Sequence, residues 1–142
     1  MARFFSIYNP EGLPSNTKEA YFNKIIEMYS SNITQNLQTI YFEAFQGKLA
    51  GFILIRECEK NRFYHDKDRQ IIIISDGLPL IDDKIIDAKE VYHLYNKIGI
   101  SKLASIMDGP HIELIIDEQD KSIHLIRDRV GLKPGYYCNK NS

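Results

Sequence analysis

Apolar and polar residues alternate along "HIELIID" and "SIHLIRD", two runs that flank the charged tetrapeptide "EQDK". A period of two marks a strand with two different faces, so the stretch predicts a hairpin with a four-residue loop. "LQTIYFEAF" and "LAGFILIRE" around "QGK" predict a second hairpin. "RFFSIYN" is aromatic and β-branched, ends at Pro10, and reads as a strand followed by the turn "NPEG". "QIIIISD" carries four consecutive isoleucines, the pattern of a strand covered on both faces, and "DGLP" breaks it. "CEKNRFYHDKDR" reads as a charged loop and "SSNITQN" as a polar one.

Two stretches change period. Tyr21, Phe22, Ile25, Ile26 and Tyr29 recur at three and four, and Asn16 with Glu19 has capping-box spacing, so residues 17–30 are expected to be an amphipathic helix. Asp87 and Glu90 form another capping pair ahead of Val91, Leu94, Tyr95 and Ile98. Gly99 stops that helix, and Ser101 caps a short second one through Met107, closed by Gly109. Strands fall in hairpins rather than alternating with crossovers. The expected fold is therefore α+β, a layered sandwich of mainly antiparallel sheets with packed helices, in one domain spanning residues 1–142.

Composition narrows the function classes. Residues are 44% hydrophobic and 26% charged, with a net charge of −1, so no basic stripe argues for nucleic acid. The longest apolar run is broken by Asp76 and is too short to span a bilayer. Residues 1–15 lack a charged-then-apolar leader pattern, so a cytoplasmic protein with no membrane partner is expected. Cys58 and Cys138 have no metal-ligand or redox spacing, and are expected to be a half-buried thiol and a tail thiol. His65, His93, His111 and His124 lack a convincing third ligand, although His111 and His124 could face each other across the last hairpin; no metal or cofactor is expected. "GLPLIDDK" lacks the Gly-Lys-Ser/Thr end of a phosphate loop, and Asp82 with Asp83 reads as a solvated loop.

One dense string remains, "RDRVGLKPGYY". Asp128 lies between Arg127 and Arg129, Gly131 permits a bend, Pro134 fixes the next one, and Tyr136 with Tyr137 starts another strand. Taken alone it describes a structured turn at a sheet edge. It resembles the Arg-Asp-x-x-Gly-x-x-Pro-Leu-Tyr-Tyr string of the class II glutamine-amidotransferase domain of asparagine synthetases, the N-terminal-nucleophile type. "MARFFSIYNPEG" resembles that family's Met-Cys-Gly-Ile-x-Gly-Ile-Tyr-Asn-Pro-Asp-Gly start. "IIIISDGLP" sits where the family has a strand ending in Asn-Gly-Glu-Ile-Tyr, and "EVYHLYNKIG" where it has a Glu-Val-Ile helix. The similarity is faint from Tyr21 to Arg62. The family's domain runs several dozen residues further, so the resemblance implies a domain shortened at the C-terminus, a split gene or a fragment.

The resemblance implies a glutaminase whose N-terminal cysteine attacks the glutamine amide, with its own amino group as base. This chain has Ala2 there, and a methyl group has no lone pair. Asp76-Gly77 replaces the Asn-Gly oxyanion pair; Gly77 keeps its N–H, while a carboxylate at Asp76 repels the oxyanion. The residue gripping the glutamine amino group falls on Ala88, and the carboxylate-gripping arginine is absent near Phe52. Losses this numerous imply a pseudoenzyme, with Arg127, Asp128, Gly131, Pro134, Tyr136 and Tyr137 kept as a structural motif. β-Lactam synthetases and lasso-peptide cyclases resemble this arrangement: the front domain persists as a packing partner of an ATP-dependent amide-forming half. The expected partner is such a synthetase-like half, or a second copy. Two alternatives stay open: an active glutaminase with Ala2 as an artefact, and a regulatory binding module on the same scaffold.

Overall fold

The computed structural model describes residues 3–30, 36–133 and 135. The central strands explain the layering. In β3 (Leu49–Ile55), Leu49, Ile53 and Ile55 point one way, while Ala50, Phe52 and Leu54 point the other. All seven residues are buried, because this strand is covered on both faces. β3 lies between β1 (Arg3–Tyr8) and β2 (Gln38–Ala44), antiparallel to both. The Ala50, Phe52 and Leu54 face packs under α1 (Ser15–Ser30) through Phe22, Ile25 and Ile26. Phe22 meets Phe52 edge to face with centroids 5.3 Å apart.

The second sheet repeats this logic. Its order is β4 (Phe63–Asp66), β5 (Ile71–Gly77), β8 (His111–Asp117), β9 (Ser122–Arg127), all antiparallel neighbours. Ile72, Ile74, Leu114 and Ile116 face the first sheet against Phe42, Leu49, Ile53 and Ile55. Ile71, Ile73 and Ile115 face α2 (Ala88–Ile106) against Val91, Tyr92, Tyr95 and Leu103. The result is four layers, helix, sheet, sheet, helix, which is the expected α+β sandwich.

Local details agree with the chain's spacing in most places. Asp87 caps α2, accepting from the Glu90 N–H at 2.9 Å, while the Glu90 carboxylate takes the Asp87 N–H at 2.9 Å. Gly99 breaks the helix with φ 74° and ψ 168°. The "EQDK" loop joins β8 to β9 with Asp117 opposite Ser122.

Three expectations are corrected, and one small hairpin is added around the exposed Asp82–Asp83 turn. The charged stretch is not all loop: Glu57–Arg62 forms a 3-10 helix and Phe63–Asp66 forms β4. Phe63 and Tyr64 supply alternating faces there, for the inter-sheet core and the α2 core respectively. A small hairpin, β6 (Leu80–Ile81) and β7 (Lys84–Ile85), turns through Asp82 and Asp83, both at positive φ (50° and 59°), a geometry these short polar residues tolerate. Cys58 is exposed rather than half-buried, because its helix turns Glu59 inward instead. His124 pairs with Ile115, and His111 sits four residues along the same strand from that position, so the two rings do not face each other. Cys138 and the strand expected at Tyr136–Tyr137 lie outside the described residues.

Replacing Asp87 with alanine removes one member of the α2 cap. Thermal unfolding is expected to show a loss of about 1 kcal/mol.

Candidate functional site

The end of β5 is where the apolar alternation turns polar. After four isoleucines come Ser75 and Asp76, which point to opposite faces. Asp76 shares the inter-sheet side with Ile72 and Ile74, and only 8% of it is exposed. Its Oδ2 accepts from Lys133 Nζ at 2.7 Å, while its Oδ1 has no partner. Lys133 is itself buried.

Lys133 reaches this point because of the "RDRVG" bend. The Asp128 N–H donates to the His111 carbonyl at 3.0 Å, which fixes the bend to the start of β8. The Asp128 carboxylate then accepts from the N–H groups of Leu132 at 2.5 Å and Lys133 at 3.0 Å. Burial works against ionisation of Asp128, yet these donors outweigh it and hold its carboxyl below the usual range. The Gly131 N–H closes the turn on the Asp128 carbonyl at 3.2 Å. A Cβ on Gly131 would come within 2.2 Å of Arg127 Nη2, so the guanidinium lies across the bend.

Gly77 follows Asp76. A Cβ here would meet the Pro110 carbonyl oxygen at 2.1 Å, so only glycine lets the two backbones approach. The Leu78 N–H bonds to that same carbonyl at 2.8 Å. Antiparallel ladders alternate, so the Gly77 N–H is directed away from β8.

On the α2 side lies a second polar group. Ser75 and Glu113 are cross-strand partners, and the serine hydroxyl donates to Glu113 Oε2. Glu113 is fully buried, and its Oε1 has no partner. Burial pushes its carboxyl up to about 8, against the pull of Ser75 and Arg62. Arg62 Nη1 is also buried without a partner. His111 follows on the same face, 1% exposed. Its Nδ1 lies 2.9 Å from the Gly109 carbonyl and 3.1 Å from that of Asp108. Carbonyls only accept, so Nδ1 is assigned the proton; Nε2 is buried without a partner.

The structure brings Asp76, Gly77 and the motif residues Arg127, Asp128 and Gly131 together. It does not bring Phe52 or Ala88 to them. Phe52 faces α1, a layer away from Asp76, and Ala88, the first residue of α2, is buried in the core between that helix and the second sheet. Ala2, Pro134, Tyr136 and Tyr137 lie outside the described residues. Lys133, Ser75 and Glu113 were not singled out from the sequence. Their signal was present: Ser75 and Glu113 each interrupt a buried apolar run. Among the described residues no group of three or more His, Cys, Asp or Glu side chains is placed to hold a metal ion, and no helix is long and apolar enough to cross a membrane.

No protein-family profile and no solved structure matches the chain. Over 50 residues it is 34% identical to an asparagine synthetase [glutamine-hydrolyzing] of Gallus gallus, a match covering 35% of this chain and 9% of that protein. The chain is thus asparagine-synthetase-like over about a third of its length, within an α+β layered fold.

Two measurements test the electrostatics. Removing the cation with Lys133→Met leaves Asp76 buried and unpaired, and is expected to cost about 3 kcal/mol in chemical denaturation; adding Asp76→Asn is expected to recover much of it. For Glu113 the folded-state value lies above the ordinary carboxyl value of 4.5. The native state therefore keeps a proton that the unfolded chain releases, and stability falls as pH rises from about 4.5 to about 8. By pH 7 the loss is on the order of 3 kcal/mol, and Glu113→Gln is expected to flatten the profile in that window.

Proposed function

We propose that this chain is an amidotransferase-like domain that has lost glutaminase chemistry and serves as a structural or partner-binding half of an asparagine-synthetase-like, amide-forming system. The observation that carries the reading is the Asp76–Lys133 ion pair, buried where the resemblance puts the oxyanion donors. An ionised carboxylate offers no N–H to a developing negative oxygen. The lysine that could offset it is committed to Asp76. A lost oxyanion donor alone costs about a hundred- to a thousand-fold in rate. The sequence adds Ala2 at the nucleophile position, and loss of a nucleophile costs on the order of a million-fold. What is left is a well-packed scaffold, and its remaining role on this reading is to bind a synthetase-like protein.

The test is release of glutamate from glutamine. The protein is expected to match a heat-denatured control, and Ala2→Cys alone is expected to stay silent because the Asp76–Lys133 pair remains. Turnover at a glutaminase-like rate by either form would overturn the reading. Co-purification of a synthetase-like protein with the tagged chain is the expected positive result.

A further inference from the structure

Three side chains on the α2 side of the second sheet each leave a polar atom buried without a protein partner: Arg62 Nη1, Glu113 Oε1 and His111 Nε2. Their positions converge. Glu113 and His111 stand two residues apart on β8 and share the face that carries Ile115. Glu113 lies opposite Ser75, and His111 lies opposite Gly77. Arg62 ends the 3-10 helix one residue before Phe63, the partner of Ile74, and so arrives level with Ser75. Glu113 is 0% exposed and His111 1%. Arg62 attracts the Glu113 carboxyl, yet no direct ion pair joins the two. A polar attraction across a gap longer than a hydrogen bond is where a bridging molecule belongs.

The chemistry of the three atoms selects that molecule. Arg62 only donates. Glu113 Oε2 takes the Ser75 hydroxyl, as the carbonyl oxygen of a neutral acid does best, so its proton lies on Oε1, which donates as well. His111 Nδ1 turns its proton toward the Asp108 and Gly109 carbonyls, which leaves Nε2 to accept. Two donors and one acceptor call for a guest that accepts twice and donates once. A metal ion is repelled by the guanidinium, and an anion by the Nε2 lone pair. Water fits, and it is the smallest molecule that does. We propose that one internal water molecule is bound between Arg62, Glu113 and His111, accepting from Nη1 and Oε1 and donating to Nε2. About three hydrogen bonds are the usual complement of a buried water. This one ties the end of the 3-10 helix to β8 and, through the Nδ1 contacts of His111, to the connection between α2 and β8. The site is separate from the glutaminase question, because Asp76 lies on the opposite face of the sheet.

The test is a crystal structure of the full chain that shows ordered solvent, paired with water–protein NOE spectroscopy in solution. One density peak is expected within about 2.7–3.2 Å of all three atoms. Cross-peaks from a long-lived water to the Glu113 amide and the His111 ring are expected with it. Nitrogen chemical shifts at neutral pH are expected to show His111 protonated on Nδ1 alone. Glu113→Gln keeps a donor and an acceptor, and is expected to keep the peak and the cross-peaks. Glu113→Met is expected to lose both. A dry site in the unaltered chain would overturn the proposal, whether or not the methionine variant folds. So would a water touching fewer than the three atoms, a direct bond from Glu113 to Arg62 or His111, a doubly protonated His111, or a Glu113→Met chain that retains the water.

Discussion

The pairing of β5 with β8 holds the molecule together. Every side chain from Ile71 to Asp76 and from His111 to Asp117 is buried, because one face of the pair receives the other sheet and the opposite face receives α2. A one-residue slip would exchange the two faces and move Ser75 and Glu113 into the inter-sheet core. Isoleucines fill both faces, so the penalty falls on the displaced polar groups, and these specify the register. Both four-layer packing and the placement of Asp76 beside the terminal bend depend on this one ladder.

Buried polarity sits at one end of that ladder. Ser75, Asp76, His111 and Glu113 lie within three residues of the Gly77 end of β5 or the His111 end of β8. They divide between the two faces: Asp76 is answered by a cation, while Glu113 is answered by a hydroxyl and a raised proton affinity. Buried ionic groups stabilise little relative to apolar ones of the same shape, so their presence here favours a role in fixing where the last described segment of the chain lies.

Elements with a long, clean period were legible in the sequence. Both hairpins, β1, β5 and α1 follow from apolar spacing, and the Asp87–Glu90 cap and the Gly99 break follow from residue chemistry. β4 was hidden because it is four residues long, only partly buried, and embedded among charges. β6 and β7 were hidden because two residues carry no period. In the site, Asp76 and Gly77 could be picked out by resemblance, but the answering lysine lies 57 positions away, and Glu113 lies 38 from Ser75. Neither distance leaves a local trace. Pairing of that kind becomes visible only once the register of the sheet is known.

The break at Gly99 gives α2 a property that a straight helix would lack. Stacked strands rotate steadily from one to the next, so the surface beneath α2 is saddle-shaped. Two short rods joined at a corner can each lie along a different part of that saddle. Tyr92 and Tyr95 donate to Asp66 and Asp117 from the first rod, while Leu103 in the second rod and Met107 just past its end close over the core further on. Each rod has its own anchors, so the second can loosen without prising off the first, and amide protons after the corner should exchange sooner than those before it.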